Sequence, residues 1–223
     1  MRGNVLLRAG GKLLSGLVLM GLLLFGSAGT IAFPRGWALL ALFAVPTALI
    51  GLLLGRYAPE RLEKRLRMRE TERAQRLVVA LSGLMLTAGL AVAGLDARFG
   101  WTPLPVWLSA AAGALFLAGY ALYGEVLREN AFLSRSVELQ EGQRLIDTGL
   151  YRAVRHPMYL ATVLIFLAIP LVLGSGIAFL VFLPYPALMA LRIKNEEKLL
   201  RDGLEGYAEY CQRVRYRMIP YLW

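Results

Sequence analysis

One cysteine, Cys211, and one histidine, His156, occur in the 223 residues of this chain. A lone cysteine excludes an internal disulfide framework, and a lone histidine excludes the clustered imidazoles of a typical catalytic zinc site. No metal is expected. Charge is also scarce, at 18% of residues, against about a quarter in soluble domains. Several familiar cofactor and nucleophile signatures are missing as well. There is no Gly-x-Gly-x-x-Gly, no Gly-x-x-x-x-Gly-Lys, no His-Glu-x-x-His and no Gly-x-Ser-x-Gly. An enzyme built on this chain must therefore bind its ligands without a Rossmann domain or a phosphate-binding loop.

Long apolar runs are what the chain has instead. Hydrophobic residues make up 57% of it, and the mean hydropathy is +0.55. The charges are gathered in blocks between uncharged stretches. This segregation suits a bilayer, where a charge at the centre costs at least about 2.5 kcal/mol. A span needs roughly 20 mostly apolar residues, and such stretches run over about 13–33, 37–54, 77–95 and 106–123. The first exceeds the apolar core of a signal peptide, about 7–15 residues, so it reads as a retained helix. Residues 159–191 are again apolar but too long for one span. Gly174-Ser175-Gly176 divides them into two short helices joined by a tight turn. The fold class expected is all-α: a polytopic helical membrane protein of about six transmembrane helices, the last two a hairpin. Four spans occupy 1–124, and 125–223 form a C-terminal core of loop, hairpin and amphipathic tail.

The net charge of +10 raises nucleic acid as a partner, but no basic stretch carries the interleaved aromatics of a stacking platform. Positive-inside topology accounts for it better. Arg2, Arg8 and Lys12 precede the first span, eight basic residues lie in 56–76, five in 125–156 and seven from Arg192 onward. The intervening connections hold only Arg35 and Arg98 of the 25. That alternation requires both termini on the cytosolic side, consistent with Cys211 in a reducing compartment. The stretch 56–76 reads as an interfacial helix or cytosolic loop.

Two polar clusters flank the last hairpin. The first is Tyr151, Arg152, Arg155, His156, Pro157 and Tyr159. Pro157 suits the first turn of a helix, which leaves His156 at a helix N-terminus where free N–H groups favour an anion. Tyr159, three residues on, shares its side. The second is Arg192, Asn195, Glu196 and Glu197, with Arg192 and Glu196 four apart on one face. Antiparallel hairpin arms bring the two clusters to one depth. By chemistry alone the same residues also suit interfacial anchoring or a surface ion pair.

The spacing Gly149-Leu150-Tyr151-x-x-x-Arg155-His156-Pro157-x-Tyr159, a hairpin, Arg192-Ile193-x-x-Glu196-Glu197-x-Leu199, Tyr207-x-x-Tyr210 and Pro220 resembles the isoprenylcysteine carboxyl methyltransferase family. The wider group includes membrane phospholipid N-methyltransferases. The resemblance implies S-adenosylmethionine as cofactor, held by Gln143, Arg144, Leu145, Ile146, Tyr151, His156, Pro157, Met158, Tyr159 and Glu196. Arg155 adds a donor for the cofactor carboxylate, and Glu197 joins the acidic pair. Arg192 is implied on the acceptor side and, with Glu196, in catalysis. The partners implied are the lipid bilayer and a lipophilic or lipidated acceptor, met by an active site on the cytosolic side. Asp202-Gly203-Leu204-Glu205-Gly206-Tyr207 departs from the aromatic-Gly that many members carry before the tail tyrosines, and this loosens any inference about the acceptor. A membrane reductase of sterol-reductase type, using NADPH in the same pocket, is the alternative enzyme. A non-catalytic scaffold or transporter subunit is the other alternative, although neither mid-membrane charges nor repeated halves are present.

The charge alternation yields a first prediction. Single cysteines placed in a Cys211→Ser background at 60–75, 130–150 and 200–223 should react with an impermeant reagent from the cytosolic side only. Cysteines at 34–36, 98–103 and 174–176 should react from the opposite side only. Cytosolic labelling of the 174–176 turn would overturn the six-span topology.

Overall fold

A computed structural model describes residues 2–66, 73–133 and 142–223. Its helices are α1 (Arg2–Ala28), α2 (Pro34–Tyr57), α3 (Pro59–Leu66), α4 (Arg73–Phe99), α5 (Val106–Glu129), α6 (Pro157–Leu173), α7 (Gly176–Phe182), α8 (Tyr185–Gly203) and α9 (Tyr207–Arg213). A 3-10 turn covers Gly149–Arg152. Among the described residues five stretches are long and apolar enough to cross a membrane, the last being Gly176–Gly203, which takes α7 and α8 together. The sixth expected span corresponds to α6, a shorter apolar helix of 17 residues. At 1.5 Å per residue it is about 26 Å long, slightly under the hydrocarbon thickness of about 30 Å. Of the expected interfacial helix in 56–76, α3 is described, and 67–72 lie outside the described residues.

Proline and glycine punctuate the helices as their chemistry dictates. Pro34 opens α2 and Pro157 opens α6, where the missing N–H is no loss. Pro46 lies inside α2, a position that membrane helices tolerate. Gly174 ends α6 with φ 75°, the left-handed region that glycine enters without steric cost. Ser175 then caps α7 by accepting from the Ala178 N–H at 3.1 Å. The second arm of the hairpin is not continuous, as the sequence had suggested. It breaks at Leu183-Pro184, because Pro184 and Pro186 both lack the N–H needed to carry the ladder through.

α6 lies at the centre, with ten of its residues buried. α5 packs along it closely enough that a Cβ on Gly119 would meet Ile165 and the Ala161 carbonyl. Small residues let membrane helices approach in this way. α5 also runs across the expected boundary at 124–125, so both portions of the chain share one packed interface. Leu24, Leu39, Leu90, Phe116, Ile169 and Phe182 fill the core between α1, α2, α4, α5, α6 and α7.

One end of the bundle is tied by a polar knot. Asp96, at the end of α4, accepts from the Thr102 N–H and hydroxyl, both at 2.7 Å, and from the Ser175 hydroxyl. Arg35 donates to Leu104 O at 2.9 Å, and Leu104 N donates to Gly174 O at 2.9 Å. A Cβ on Gly174 would run into the Arg35 guanidinium. The three connections poorest in basic residues thus meet at one end. The basic segments meet at the other, where Lys12 donates to Leu66 O and Arg61 to Leu127 O.

Asp96→Ala leaves the buried Ser175 hydroxyl without its acceptor and unties the exposed Thr102 from it. Losing charge-assisted hydrogen bonds of this kind costs about 1.5–3 kcal/mol. A clear drop in thermal unfolding temperature is expected in detergent, read by size exclusion after heating. Glu125→Ala, which removes an exposed pair with Arg128, should leave that temperature nearly unchanged.

Candidate functional site

At the end opposite the knot, the start of α6 meets α8 and the tail. Glu197 on α8 is only 3% exposed. Its carboxylate accepts from Arg155 Nε at 2.7 Å and Arg217 Nε at 2.9 Å, and His156 Nε2 lies 3.3 Å away. Arg155 also donates through Nη1 to Val214 O at 2.6 Å and Arg215 O at 3.0 Å. The backbone follows the same path, with Arg155 N donating to Tyr216 O and His156 N to Arg217 O. A buried carboxylate must be paired, and here the pairing binds the tail across the N-terminus of α6.

Glu196, the next residue along α8, points elsewhere because successive helical side chains diverge by about 100°. It accepts from the Tyr159 hydroxyl, and Arg192 Nε donates to that same hydroxyl at 3.0 Å. The Arg192 guanidinium also lies 6.0 Å from the Tyr159 ring centre. One phenol oxygen therefore joins the two clusters expected to converge.

These side chains open on a cavity with about 860 Å³ of unfilled space, part of it continuous with solvent. Gln143, Arg144, Leu145 and Ile146 line it, as do Tyr151, Arg155, His156, Pro157, Met158 and Tyr159. Arg192 and Glu196 line it as well, whereas Arg152, Asn195 and Glu197 of the two clusters lie outside the lining. Asn130, Leu199, Leu204, Tyr207 and Tyr210 line it too. The spacing of the two tail tyrosines had been noticed but carried no role, and Asn130 had no sequence signal at all.

The rim is braced by tyrosines. The Tyr151 hydroxyl accepts from Asn130 Nδ2 at 2.9 Å, and its carbonyl accepts from the Tyr210 hydroxyl at 2.6 Å. Burial pushes the Tyr151 hydroxyl up to about 12 and raises Tyr207 and Tyr210 further. All three are neutral phenols at physiological pH and none is a base. The Tyr207 hydroxyl is buried and has no hydrogen-bond partner among the described residues. A buried donor left unpaired is costly, and this one sits on a residue that lines the cavity. No group of three or more His, Cys, Asp or Glu suited to a metal occurs among the described residues.

Residues 107–205 match the sequence model of the phospholipid methyltransferase family. The fold is similar to that of the eukaryotic intramembrane Ras methyltransferase, an isoprenylcysteine carboxyl methyltransferase. That likeness has a TM-score of 0.51 and 17% identity, over 99% of this chain and 98% of that one. The first match covers residues 107–205, and the second is a likeness of fold over nearly the whole chain. Two curated relatives are reductases. A Delta(14)-sterol reductase of Mus musculus is 34% identical over 85 residues, covering 37% of this chain and 20% of the relative. One from Methylotuvimicrobium alcaliphilum is 26% identical over 132 residues, covering 52% of this chain and 31% of the relative. The chain thus spans a third or less of the length of these relatives. Taken together, the family match, the fold and the apolar helices support an integral membrane protein whose residues 107–205 resemble phospholipid methyltransferases.

The pairing at Glu197 yields a test that separates buried from exposed ion pairs. Glu197→Gln leaves Arg155 and Arg217 without a carboxylate, and breaking a buried pair costs about 3–5 kcal/mol. Trypsin should then cut at 213–217 many times faster. Asp147→Asn removes the exposed pair with Arg213 and should change the cutting rate little. Equal rates in both variants would show that Glu197 does not hold the tail.

Proposed function

We propose that the chain transfers a methyl group from S-adenosylmethionine to a lipophilic acceptor at the cytosolic face of the membrane. The observation that carries this reading is the Tyr159 hydroxyl shared between Glu196 and Arg192 on the wall of an aromatic cavity. The residues present fit the cofactor. Tyrosine faces and a carboxylate suit a sulfonium, the N-terminus of α6 at His156 suits a carboxylate, and the unpartnered Tyr207 hydroxyl offers a donor to a ribose or adenine atom.

The residues divide into two sets. His156, Tyr151, Tyr207, Glu196 and the segment Gln143–Ile146 would hold the cofactor. Arg155 and Glu197 are engaged with each other and the tail, so they act as positioning residues rather than ligands. Arg192 presents its guanidinium beside Tyr159, where it would orient the acceptor. When bound, S-adenosylmethionine would supply an electrophilic methyl group, activated by its sulfonium, to the lone pair of the acceptor. A carboxylate acceptor needs no base, so the protein's task is to align two reactants and exclude water. Tyr159, anchored by both Glu196 and Arg192, sets the register between the two halves of that task.

The reductase relatives support a second reading, in which NADPH occupies the same cavity. Three phosphates would then need cationic partners. Arg144 and Arg192 line the cavity and could meet them, whereas Arg155 is engaged by Glu197 and the tail carbonyls. Glu196 is the lining group that favours a sulfonium, and ligand binding decides between the two readings.

Calorimetry with S-adenosylhomocysteine and with NADPH separates the readings, and binding of the first alone is expected. His156→Ala and Glu196→Ala should each weaken it about 10- to 100-fold, the worth of one charge-assisted hydrogen bond. Arg192→Lys should leave that affinity within about twofold yet lower methyl transfer into lipid-extractable product, because Lys lacks the planar fork. NADPH binding with no response to S-adenosylhomocysteine would overturn the methyltransferase reading.

A further inference from the structure

The tail that crosses the N-terminus of α6 ends in a closed loop. The Trp223 main-chain oxygen accepts from the N–H groups of Arg217, Met218 and Ile219 at 2.9, 3.0 and 3.1 Å. Closing the loop holds Tyr221 at φ 64°. Among the described residues it alone, apart from glycines, has a positive φ, a region that residues with a Cβ enter at a cost. The loop turns Met218 inward, into the cluster of Val78, Tyr159, Tyr185 and Ile193, with Ile219 and Trp223 packed against it. Tyr221 and Leu222 turn outward and are 89% and 76% exposed, the highest values of any large apolar side chain described.

The depth of this loop follows from its inner side. Val78 lies one turn inside the start of the apolar span that opens at Gln75, and Met218 packs in its cluster. The loop therefore stands at the edge of the hydrocarbon, at the end of the bundle where the basic segments meet. Residues 210–223 carry Arg213, Arg215 and Arg217 and no Asp or Glu, which suits a leaflet with anionic headgroups. An outward tyrosine and leucine at that depth suit the layer between headgroups and acyl chains. The loop is also tied to the cavity. Arg217 lies 5.3 Å from the Trp223 ring centre and donates to Glu197, and Glu197 in turn accepts from Arg155, just before α6.

We propose that Tyr221 and Leu222 are a docking surface for the lipid bilayer. They insert between the headgroups of the leaflet at the basic end of the bundle, and this contact keeps the tail in its course over the cavity. Burial in lipid offsets the strain at Tyr221, which exposure to water does not. The affinity of the cavity for its ligand then depends on the membrane. Docking stands apart from the methyl-transfer reading, and only its effect on S-adenosylhomocysteine binding rests on that reading.

Bimane on Leu222→Cys, in a Cys211→Ser background of the full chain in phosphatidylcholine–phosphatidylserine nanodiscs, tests the docking. The ratio of quenching by doxyl-labelled phospholipid to quenching by aqueous iodide should be about fivefold higher there than for bimane on Asp202→Cys, further along α8. Tyr221→Gln combined with Leu222→Gln should weaken S-adenosylhomocysteine binding about fivefold in nanodiscs and quicken tryptic cutting at 213–217 as much. The thermal unfolding temperature in detergent should stay unchanged. Tyr221→Trp, which keeps an interfacial aromatic, should behave as the parent chain. A quenching ratio at 222 equal to that at 202 would leave the tip in water, free for a soluble partner, and overturn the docking. A high ratio with unchanged affinity and cutting in the glutamine variant would overturn the link to the cavity. Docking and quickened cutting in a protein that binds no S-adenosylhomocysteine would support the proposal and overturn the methyl-transfer reading alone.

Discussion

The site depends on one buried carboxylate. Glu197 accepts from Arg155, Arg217 and His156 within 3.3 Å, and without it two guanidinium groups would lie against the α6 N-terminus with no counter-charge. A pairing of this kind contributes less to net stability than its Coulomb energy suggests, because each ion must be stripped of water. It does confer uniqueness of arrangement: no other described carboxylate is held so close to Arg155. The tail therefore has one place to lie, and the cavity has a fixed roof in Tyr207 and Tyr210. Separating the roles of two adjacent glutamates, one facing the tail and one the cavity, follows from helical geometry alone.

The same hairpin is held at its far end by a second buried carboxylate. Asp96 gathers Thr102 and Ser175, and Arg35 packs against the turn at Gly174. Fixing both ends of α6 sets the register of its side chains against α8 to within a fraction of a helical turn. That register is what places the Tyr159 hydroxyl between Glu196 and Arg192. A slip of one residue along α8 would rotate Glu196 by about 100° away from Tyr159 and take Glu197 away from Arg155 and Arg217. The polar knot at one end and the functional cluster at the other are thus parts of one mechanical arrangement.

Much of this was legible in the sequence. Apolar runs bounded by charge locate α1, α2, α4 and α5, because the bilayer demands both length and the absence of charge. Gly174-Ser175-Gly176 reveals the hairpin, and the hairpin alone predicts that residues 151–159 face 192–197. What escaped is instructive. The break at Pro184 lies within an unbroken hydropathy signal, which responds to polarity and not to missing donors. Glu196 and Glu197 look equivalent as letters, and only the helix phase relative to the tail tells them apart. Asn130 is 21 residues from Tyr151, so their pairing depends on a loop path that no spacing rule encodes. Tyr221 reads as one tyrosine among several in the tail, and its outward turn emerges only once the Trp223 main-chain oxygen closes back on residues 217–219.

The division among the relatives follows from the same anatomy. The matched family region, 107–205, takes in α5, the hairpin and the start of the tail, while the reductase matches cover a third or less of much longer chains. A short helical hairpin with polar residues at its open end is a means of placing groups at the membrane surface, and by itself it selects no reaction. Selection falls to the groups that the hairpin exposes. The Tyr159 phenol, held between the Glu196 carboxylate and the Arg192 guanidinium, is fixed beside charges of both signs, so the charge of what enters the cavity, and not the hairpin, decides how it is aligned.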